Sequence, residues 1–595
     1  MADNENHVEK ILEEINPTDE TQLLQLITRR FIEADLYRQK QVDKWDKFYK
    51  YYRQYREPKS FPWFSNLFVP SAFTVIETLL PRVILPILGD RIFFRILPRE
   101  SKDAEYAKLT EELLAYQFEQ INVYDKFYQW IKNFLLYGIG IIKIFWRIDV
   151  KETIITIPEI VDGVKIGRKR VQQPITLFDG PDFEVIDPYD FYIDPRATSI
   201  ENARWCLHRF WRDYDYLVEK QQQGIYKNVE LVKPGVEIKD ITKSVREQVS
   251  GAPTAFLESD RFKIELWEYW ENDRVVVIAN RKVILRDEKN PFWHKQKPFI
   301  AIRNLQMPHE FYGISEIEPI ESLIHERNEI RNQRLDNMKT IVNKVLIVDR
   351  NADIDLDRLE ENNRPGGVIL TNNVNAIRPL IEGDILPSAY QEDLMILRDI
   401  QDATALSEYA IGTMPRRSET ATAVMQLQQA AMSRISLKIQ NVLQNGILPL
   451  VKMFIQLNQQ FMDKPQVVRI VGEKDYEFKE IAPEDIPLNY DVIPVVTLSE
   501  TNKEIKRQQL LLLAGLPLYN LPNVNVEEFQ KEILRQFDIK DVDKYIKPMP
   551  QVPPELAEQL QRAAPRRGGA GRRRTRRAPG VPSISGVQVS PLPTT

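Results

Sequence analysis

The spacing of apolar residues changes several times along the chain, and each change marks an element. Between Thr18 and Glu57 they recur at helical spacing, with Asp19 and Gln22 placed as a capping box, so one long helix is expected there. Its second half, WDKFYKYYRQYR, interleaves aromatic and basic side chains. That mixture suits stacking on bases and contact with phosphates. It also suits an aromatic stripe packed inward with its cations left in water, which is the commoner use. A further helix is expected from Ala104 to Tyr137, ended by Gly138, and the run IIKIFW after it reads as a buried strand. Strands then dominate. TIITIPEIVDGVKIGRKRV carries an Asp162-Gly163 hairpin step, and FEVIDPYDFYIDPRA is extended and punctuated by proline. KIELWEYWENDRVVVIANRKVILRDE alternates as a half-buried antiparallel meander would.

Beyond Gly313 the period returns to that of a helix. Ser315 is a start signal, and Ile320, Leu323, Ile324, Ile330, Leu335, Met338 and Ile341 follow at roughly helical spacing among charges of both signs. A strand-rich insert runs from KVLIVD through RPGGVILTNN, and helix resumes near Pro387. After the stretch GTMPRRSETATAVMQL a long helix is expected from Ser418 to about Met462, kinked near Gly446 and Pro449. A β segment covers Pro465 to Leu498, and helices return from Ser499 to about Lys544. From Pro548 onward proline, glycine and arginine replace large apolar groups, so disorder in isolation is expected.

Composition excludes several classes. With 595 residues, 43% apolar and 28% charged, the chain has the balance of a multi-domain globular protein. Its single cysteine, Cys206, excludes an intrachain disulfide. The net charge of −5 hides an asymmetry: eight arginines lie from Arg562 to Arg577, and without them the chain stands at −13. An acidic body with a basic tail is the better description. The N-terminal MADNENHVEK is polar, unlike a secretory signal. LFVPSAFTVIETLLPRVILPIL is broken by Pro70, Pro81 and Pro86 and carries Glu77 and Arg82, while IKNFLLYGIGIIKIFW is short. Neither reaches the roughly 20 apolar residues of a spanning helix, so both read as core and no membrane partner is expected.

No catalytic grammar emerges. There is no G-x-x-x-x-G-K-[ST] loop for nucleotide phosphates, and YGIG at Tyr137 has its glycines at a helix end, where they serve a cap. His7, His208, His294, His309 and His325 lack metal spacing, so neither metal nor cofactor is expected. Asp187 and Asp194 flank PYDFYI as turn formers rather than ligands. An assembly component is favoured over an enzyme.

The order of these elements resembles the phage portal proteins, the head-to-tail connectors of tailed bacteriophages, and in particular the podovirus type. FPWFSNLFVPSAFTVIETLLPRV, LLYGIGIIKIFW, FEVIDPYDFYIDPRA, YGISEIEPIESLIHERNEIRNQRLDNM and SETATAVMQLQQAAMSRISLKIQNVLQNGILPLV carry the resemblance, from about Trp45 to Met462. It implies an α+β, mainly helical portal fold with wing, stem, clip and crown zones, assembled as a ring of typically twelve subunits around a central channel. On that reading 1–60 is an N-terminal helical arm and 61–312 the wing. Residues 313–342 and 387–411 are stem helices, and 343–386 between them is the clip. Residues 412–417 form the tunnel loop, 418–463 a long wing helix and 464–498 a wing β segment. Crown helices take 499–547, and 548–595 is the tail.

The resemblance implies double-stranded DNA passing Gly412, Thr413, Met414, Pro415, Arg416 and Arg417 on packaging and ejection. It implies that Arg364, Pro365, Gly366 and Gly367 dock the terminase large subunit and then a neck or tail adaptor. Major capsid and scaffolding proteins are further implied partners, with the capsid vertex as location and the host cytoplasm as the place of assembly. Arg416 and Arg417 also suit pairing with acids such as Glu408. Arg566, Arg567, Arg572, Arg573, Arg574, Arg576 and Arg577 suit DNA, capsid or scaffolding contact, or a tail that aids solubility or is cleaved. A ring would let Glu316, Glu318, Glu321, Arg327, Arg331 and Arg334 pair between subunits. The competing classes are another virion assembly protein, such as a minor capsid or scaffolding protein, and a motor nuclease or ATPase. The latter would need a Walker loop or clustered carboxylates.

Overall fold

The computed structural model describes residues 20–494 apart from 59–60, 62–63, 90, 99–103, 162–163, 234–243, 251–262, 343–345, 350–376, 380–386, 407–432, 464–465, 472–475, 483–485 and 487–489, together with 510, 529–531 and 533–534. The chain divides into two compact units, Met1–Thr497 and Leu498–Thr595. The described positions of the second unit are helical, as expected for that stretch.

The first unit opens on α1 (Glu20–Tyr52), which buries Leu23, Ile27, Phe31, Ala34, Arg38, Trp45 and Phe48 along one stripe. The aromatic and basic half therefore packs its rings inward. Trp45 and Phe48 are fully buried, while Lys47 on the same turn stays in water. α2 (Ser71–Leu88) runs unbroken through Pro81 and Pro86, which corrects the expectation that these prolines interrupt it. A proline inside a helix forfeits a backbone hydrogen bond and crowds the preceding turn. Here Pro81 sits on the exposed face. Ala72, Val75, Ile76, Leu79, Leu80, Val83, Ile84 and Ile87 are buried opposite, and each large apolar side chain contributes about 1.5–3 kcal/mol. By length and composition alone α2 is apolar enough to cross a membrane, but its apolar stripe belongs to the main core.

After β1 (Phe94–Pro98) the expected single helix is two, α3 (Ala104–Gln120) and α4 (Val123–Tyr137). Asn122 between them has φ +52°, and this left-handed residue turns the chain. Gly138 ends α4 at φ +80°, the cap geometry expected of it. A Cβ here would also lie 2.3 Å from the Gly313 carbonyl oxygen, so glycine is required twice over.

β2 (Ile139–Val161) and β3 (Val164–Ile186) form a long antiparallel hairpin, with β9 (Phe299–Arg303) on the other edge of β2. Val161 pairs with Val164, so two residues join the strands, as Asp162-Gly163 predicts. A second sheet has the order β4 (Phe191–Ile193), β5 (Trp205–Asp213), β6 (Lys263–Glu271), β7 (Arg274–Ala279), β8 (Val283–Lys289). The meander is present, but β6 is buried on both faces rather than one. One face packs Trp267, Tyr269, Val276 and Ile278 against Leu23, Ile27 and Phe31 of α1. The opposite face packs Ile264, Leu266, Val277 and Ala279 against Leu217 of α5 (Tyr214–Gln222), Tyr226 and Val229. Buried Cys206, on β5, has its thiol pushed up to about 12 by burial. Beyond β5 lies the short α6 (Ser244–Ser250), whose Arg246 pairs with Asp187. Asp187 and Asp194 accept the backbone N–H of Tyr189 (3.1 Å) and Arg196 (3.1 Å), the turn role expected of them.

α7 (Glu321–Val342) follows a 3-10 turn at Glu318–Ile320. The helix starts later than Ser315, whose hydroxyl instead donates to the Leu136 carbonyl at 2.7 Å and accepts from the N–H of Ile317. Next come β10 (Leu346–Val348) and β11 (Ile377–Pro379), an antiparallel pair, and α8 (Pro387–Thr404). Helical residues 433–442 pass through a π turn, Leu443–Ile447, into α9 (Leu448–Phe461). The irregularity falls where Gly446 and Pro449 place it. Gly446 slips past Trp130 and Ile302, where a Cβ would come within 2.8 Å of each side chain. β12 (Gln466–Val471) pairs with β13 (Tyr476–Ile481), and β14 (Tyr490–Pro494) pairs with β1 from the other end of the unit.

Candidate functional site

α7 and α8 are the helices expected to form the stem, and their geometry is set by ion pairs rather than by a wide apolar seam. Tyr390 lies under the Arg334 guanidinium at 4.0 Å, and Asp393 reaches back to Arg327 Nε at 3.0 Å. The two helices therefore run in opposite directions. Arg334 adds a looser contact to Asp393 at 3.8 Å, and Arg327 also donates to Ser71 Oγ at 3.0 Å. The expected apolar stripe holds over the first half of α7, where Ile320 and Ile324 are buried with Ile396 and Ile400 and the half-buried Leu323 and Ile330 pack against the same core. Farther along it faces outward. Met338 is 55% exposed and Val342 73%, with Leu394 and Met395 on α8 at 59% and 55%.

What fills the other flank of α7 was not read from the sequence. Asn328 and Asn332 are buried there, and with Asp336 they form a ladder one residue in four. The ladder grips the extended segment before α2. Asn328 Oδ1 accepts the N–H of Val69 at 2.7 Å, Asn332 Oδ1 that of Leu67 at 2.7 Å, and Asp336 Oδ1 that of Ser65 at 2.6 Å. Asn332 Nδ2 returns a bond to the Leu67 carbonyl at 2.9 Å. The match is one of periods. Four helical residues rise about 6.0 Å, and two extended residues span about 6.6 Å. Alternate N–H groups of a strand therefore meet successive turns of a helix. Burial alone would raise the Asp336 carboxyl, but hydrogen bonds from Ser65 and the Lys339 ammonium outweigh it and hold it below the usual range. The legible signal was N-x-x-x-N-x-x-x-D within the helix.

Charges expected to pair between subunits find partners inside the chain. Glu318 takes Lys44 at 2.6 Å and Glu321 faces Lys47 at 3.6 Å, which ties α1 to the entry of α7. Glu316 is buried against Lys438 of the long helix and accepts from Asn304 Nδ2 at 2.6 Å. With Arg327 and Arg334 on Asp393, five of the six are satisfied locally. The reason is packing: the entry of α7 lies beside α1 and the long helix, whose lysines reach these carboxylates.

Gly412, Thr413, Met414, Pro415, Arg416 and Arg417 lie outside the described residues, as do Arg364, Pro365, Gly366 and Gly367 and the arginines from Arg566 to Arg577. The helices that flank 407–432 are placed, and the strand pair β10–β11 marks the base of the insert. Among the described residues no group of three or more His, Cys, Asp or Glu side chains is arranged to hold a metal.

A family model named Phage SU10 portal protein matches residues 23–162 and 150–566. The chain belongs to that portal family. The match is wider than Trp45–Met462, where the sequence resemblance rests, and takes in α1 from its first buried residue as well as everything from α9 to Arg566. Within a portal-family chain the α7–α8 pair, the insert between them and the long helix after them are one matched stretch. The tail beyond Arg566 lies outside the match.

Proposed function

We propose that the chain forms a closed ring, typically of twelve copies, through which double-stranded DNA enters and leaves a phage capsid. The observation that carries the reading is the portal-family match over most of the chain. It is supported by two antiparallel helices joined through a β-paired insert and followed by a long irregular helix. In this reading α7 and α8 are the stem and 343–386 is the clip that docks terminase and then an adaptor. Residues 412–417 are the tunnel loop, 61–312 with the long helix and the 464–498 strands the wing, and 499–547 the crown. The ring sits at the capsid vertex, after assembly in the host cytoplasm with capsid and scaffolding proteins. It is a structural conduit without chemistry of its own, and the energy for packaging comes from the terminase.

Sliding DNA must not be held. Each phosphate neutralised steepens the salt dependence of binding by about one unit, so a conduit benefits from an acidic body with few cations. The body stands at −13 without the tail arginines, and Arg416 and Arg417 repeated round a ring would make one narrow basic collar. Native mass spectrometry and negative-stain images of the full-length protein test the assembly. Closed rings with a central hole are expected, whereas a stable monomer that hydrolyses ATP would overturn the proposal. Arg416→Ala with Arg417→Ala should leave rings intact and impair DNA packaging or retention. Packaging at the parental level removes the collar from the model.

A further inference from the structure

A cavity of about 580 Å³ lies between β9, the π turn and the loop around Ile200, apart in sequence from the loop and tail arginines to which DNA contact is assigned above. Its charge is lopsided. Lys295, Lys297, Arg303 and Lys452 line it, against the single carboxylate of Glu201, in a chain whose net charge is negative. Lys297 is 3% exposed, and its ammonium donates to Asn272 Oδ1 at 2.7 Å and the Ile200 carbonyl at 3.4 Å. The Arg303 guanidinium donates through one nitrogen to the Thr198 carbonyl at 2.8 Å. Among the described residues no carboxylate comes within ion-pair distance of the buried Lys297, the half-buried Arg303 or the exposed Lys295. Buried cations elsewhere in this fold are treated differently. Lys438 has Glu316 and Arg209 has Asp190, as the cost of burying an uncompensated charge requires.

Two further features point the same way. The π turn directs Gln444 and Asn445 into the cavity wall, and single π turns in long helices are frequent at functional sites. One part of the wall is apolar, with Phe299, Phe311 and Met453, beside the polar side chains of Ser199, Asn272 and Gln456. The volume is that of a small-molecule pocket, and its polar groups converge on one apolar patch. Burial draws both Lys297 and Arg303 below their usual ranges, the direction an anionic occupant would reverse.

We propose that this cavity is a binding site for a small organic phosphate, with Lys297 and Arg303 holding the oxyanion and the apolar wall receiving the organic part. A phosphate suits it better than a carboxylate. It offers acceptors in three directions to cations that approach from β9, the preceding loop and α9, and arginine can meet two of its oxygens at once. Inorganic phosphate shares the oxyanion but cannot use the apolar wall, which separates the two sources.

The experiment is calorimetric titration of the full-length protein with deoxyadenosine monophosphate and with inorganic phosphate, at matched ionic strength. The mononucleotide should bind at least about tenfold tighter than inorganic phosphate. Lys297→Met and Arg303→Gln should each weaken it about tenfold or more, as loss of a charge-assisted hydrogen bond implies. Lys452→Ala changes an exposed position at the mouth and so tests the site even if the Lys297 and Arg303 variants fold poorly; it should weaken binding severalfold. Heats no larger than those of sodium chloride would overturn the proposal. So would equal affinity for the two phosphates, or unchanged affinity in the folded variants.

Discussion

Glu268 shows how one buried side chain depends on residues remote in sequence. Burial alone would push its carboxyl up, but the Lys143 ammonium and His208 outweigh that and hold it well below the usual carboxylate range. A depressed carboxyl stabilises the fold above its unfolded value of about 4.3, and this contribution is lost as pH falls toward the folded value. Lys143→Met leaves His208 as the remaining partner and exposes the charge to the full cost of burial. The variant should lose about 3–5 kcal/mol at pH 7. The gap from wild type should narrow as the pH is lowered toward 4 and Glu268 takes up a proton. Urea unfolding at the two pH values measures this, and a gap independent of pH would show that Lys143 acts by packing alone. Nothing in the local sequence announces the pair, because β2 and β6 meet only in the folded chain. Gly138, Asp187 and Asp194, by contrast, were legible, since a cap and two turns are local chemistry.

At the scale of elements, periodicity located most helices and strands but not how they end or what covers them. α2 outlasts two prolines because its opposite face is apolar along its whole length. The helix expected from Ala104 breaks at Asn122, a residue type tolerant of left-handed backbone, which no apolar spacing records. β6 alternates as a one-sided strand would, yet α1 and α5 cover both its faces, a matter of tertiary packing. The Asn–Asp ladder of α7 hides in what reads as a solvated helix face. Its central rung is the informative one to remove. Asn332→Ala leaves the Leu67 N–H and carbonyl without their partners, at a cost of about 1–3 kcal/mol. Hydrogen exchange at Leu67 and Val69 should accelerate in the variant while exchange in α4 is unchanged. Equal protection at both amides would mean that the strap is held by other contacts.

For the molecule as a whole, the outward apolar residues of α7 and α8 are the clearest sign of an unfinished surface. Met338, Val342, Leu394 and Met395 are exposed on the pair, whereas most charges expected to reach a neighbour are already satisfied. Ring contacts, on the proposed reading, therefore rest on these side chains more than on ion pairs, which contribute only about 0–1 kcal/mol each when exposed. Leu394→Glu with Met395→Glu should yield soluble, folded subunits with unchanged circular dichroism that no longer close into rings. Rings formed at parental concentration would place the subunit contact elsewhere. The sequence carried the family through the order of its elements, but the loop and tail arginines on which its DNA contacts were drawn fall outside the described residues.

The ladder along α7 has a mechanical side. Steps of four residues advance about 40° round a helix at each rung, so the strap from Ser65 to Val69 must wind slightly about α7 to reach all three side chains. A helix gripped at three successive azimuths cannot spin about its own axis without peeling the strap away. Torque applied to α7 is thereby passed into the segment leading to α2 and the core behind it, so that twisting loads that core before it loosens the helix.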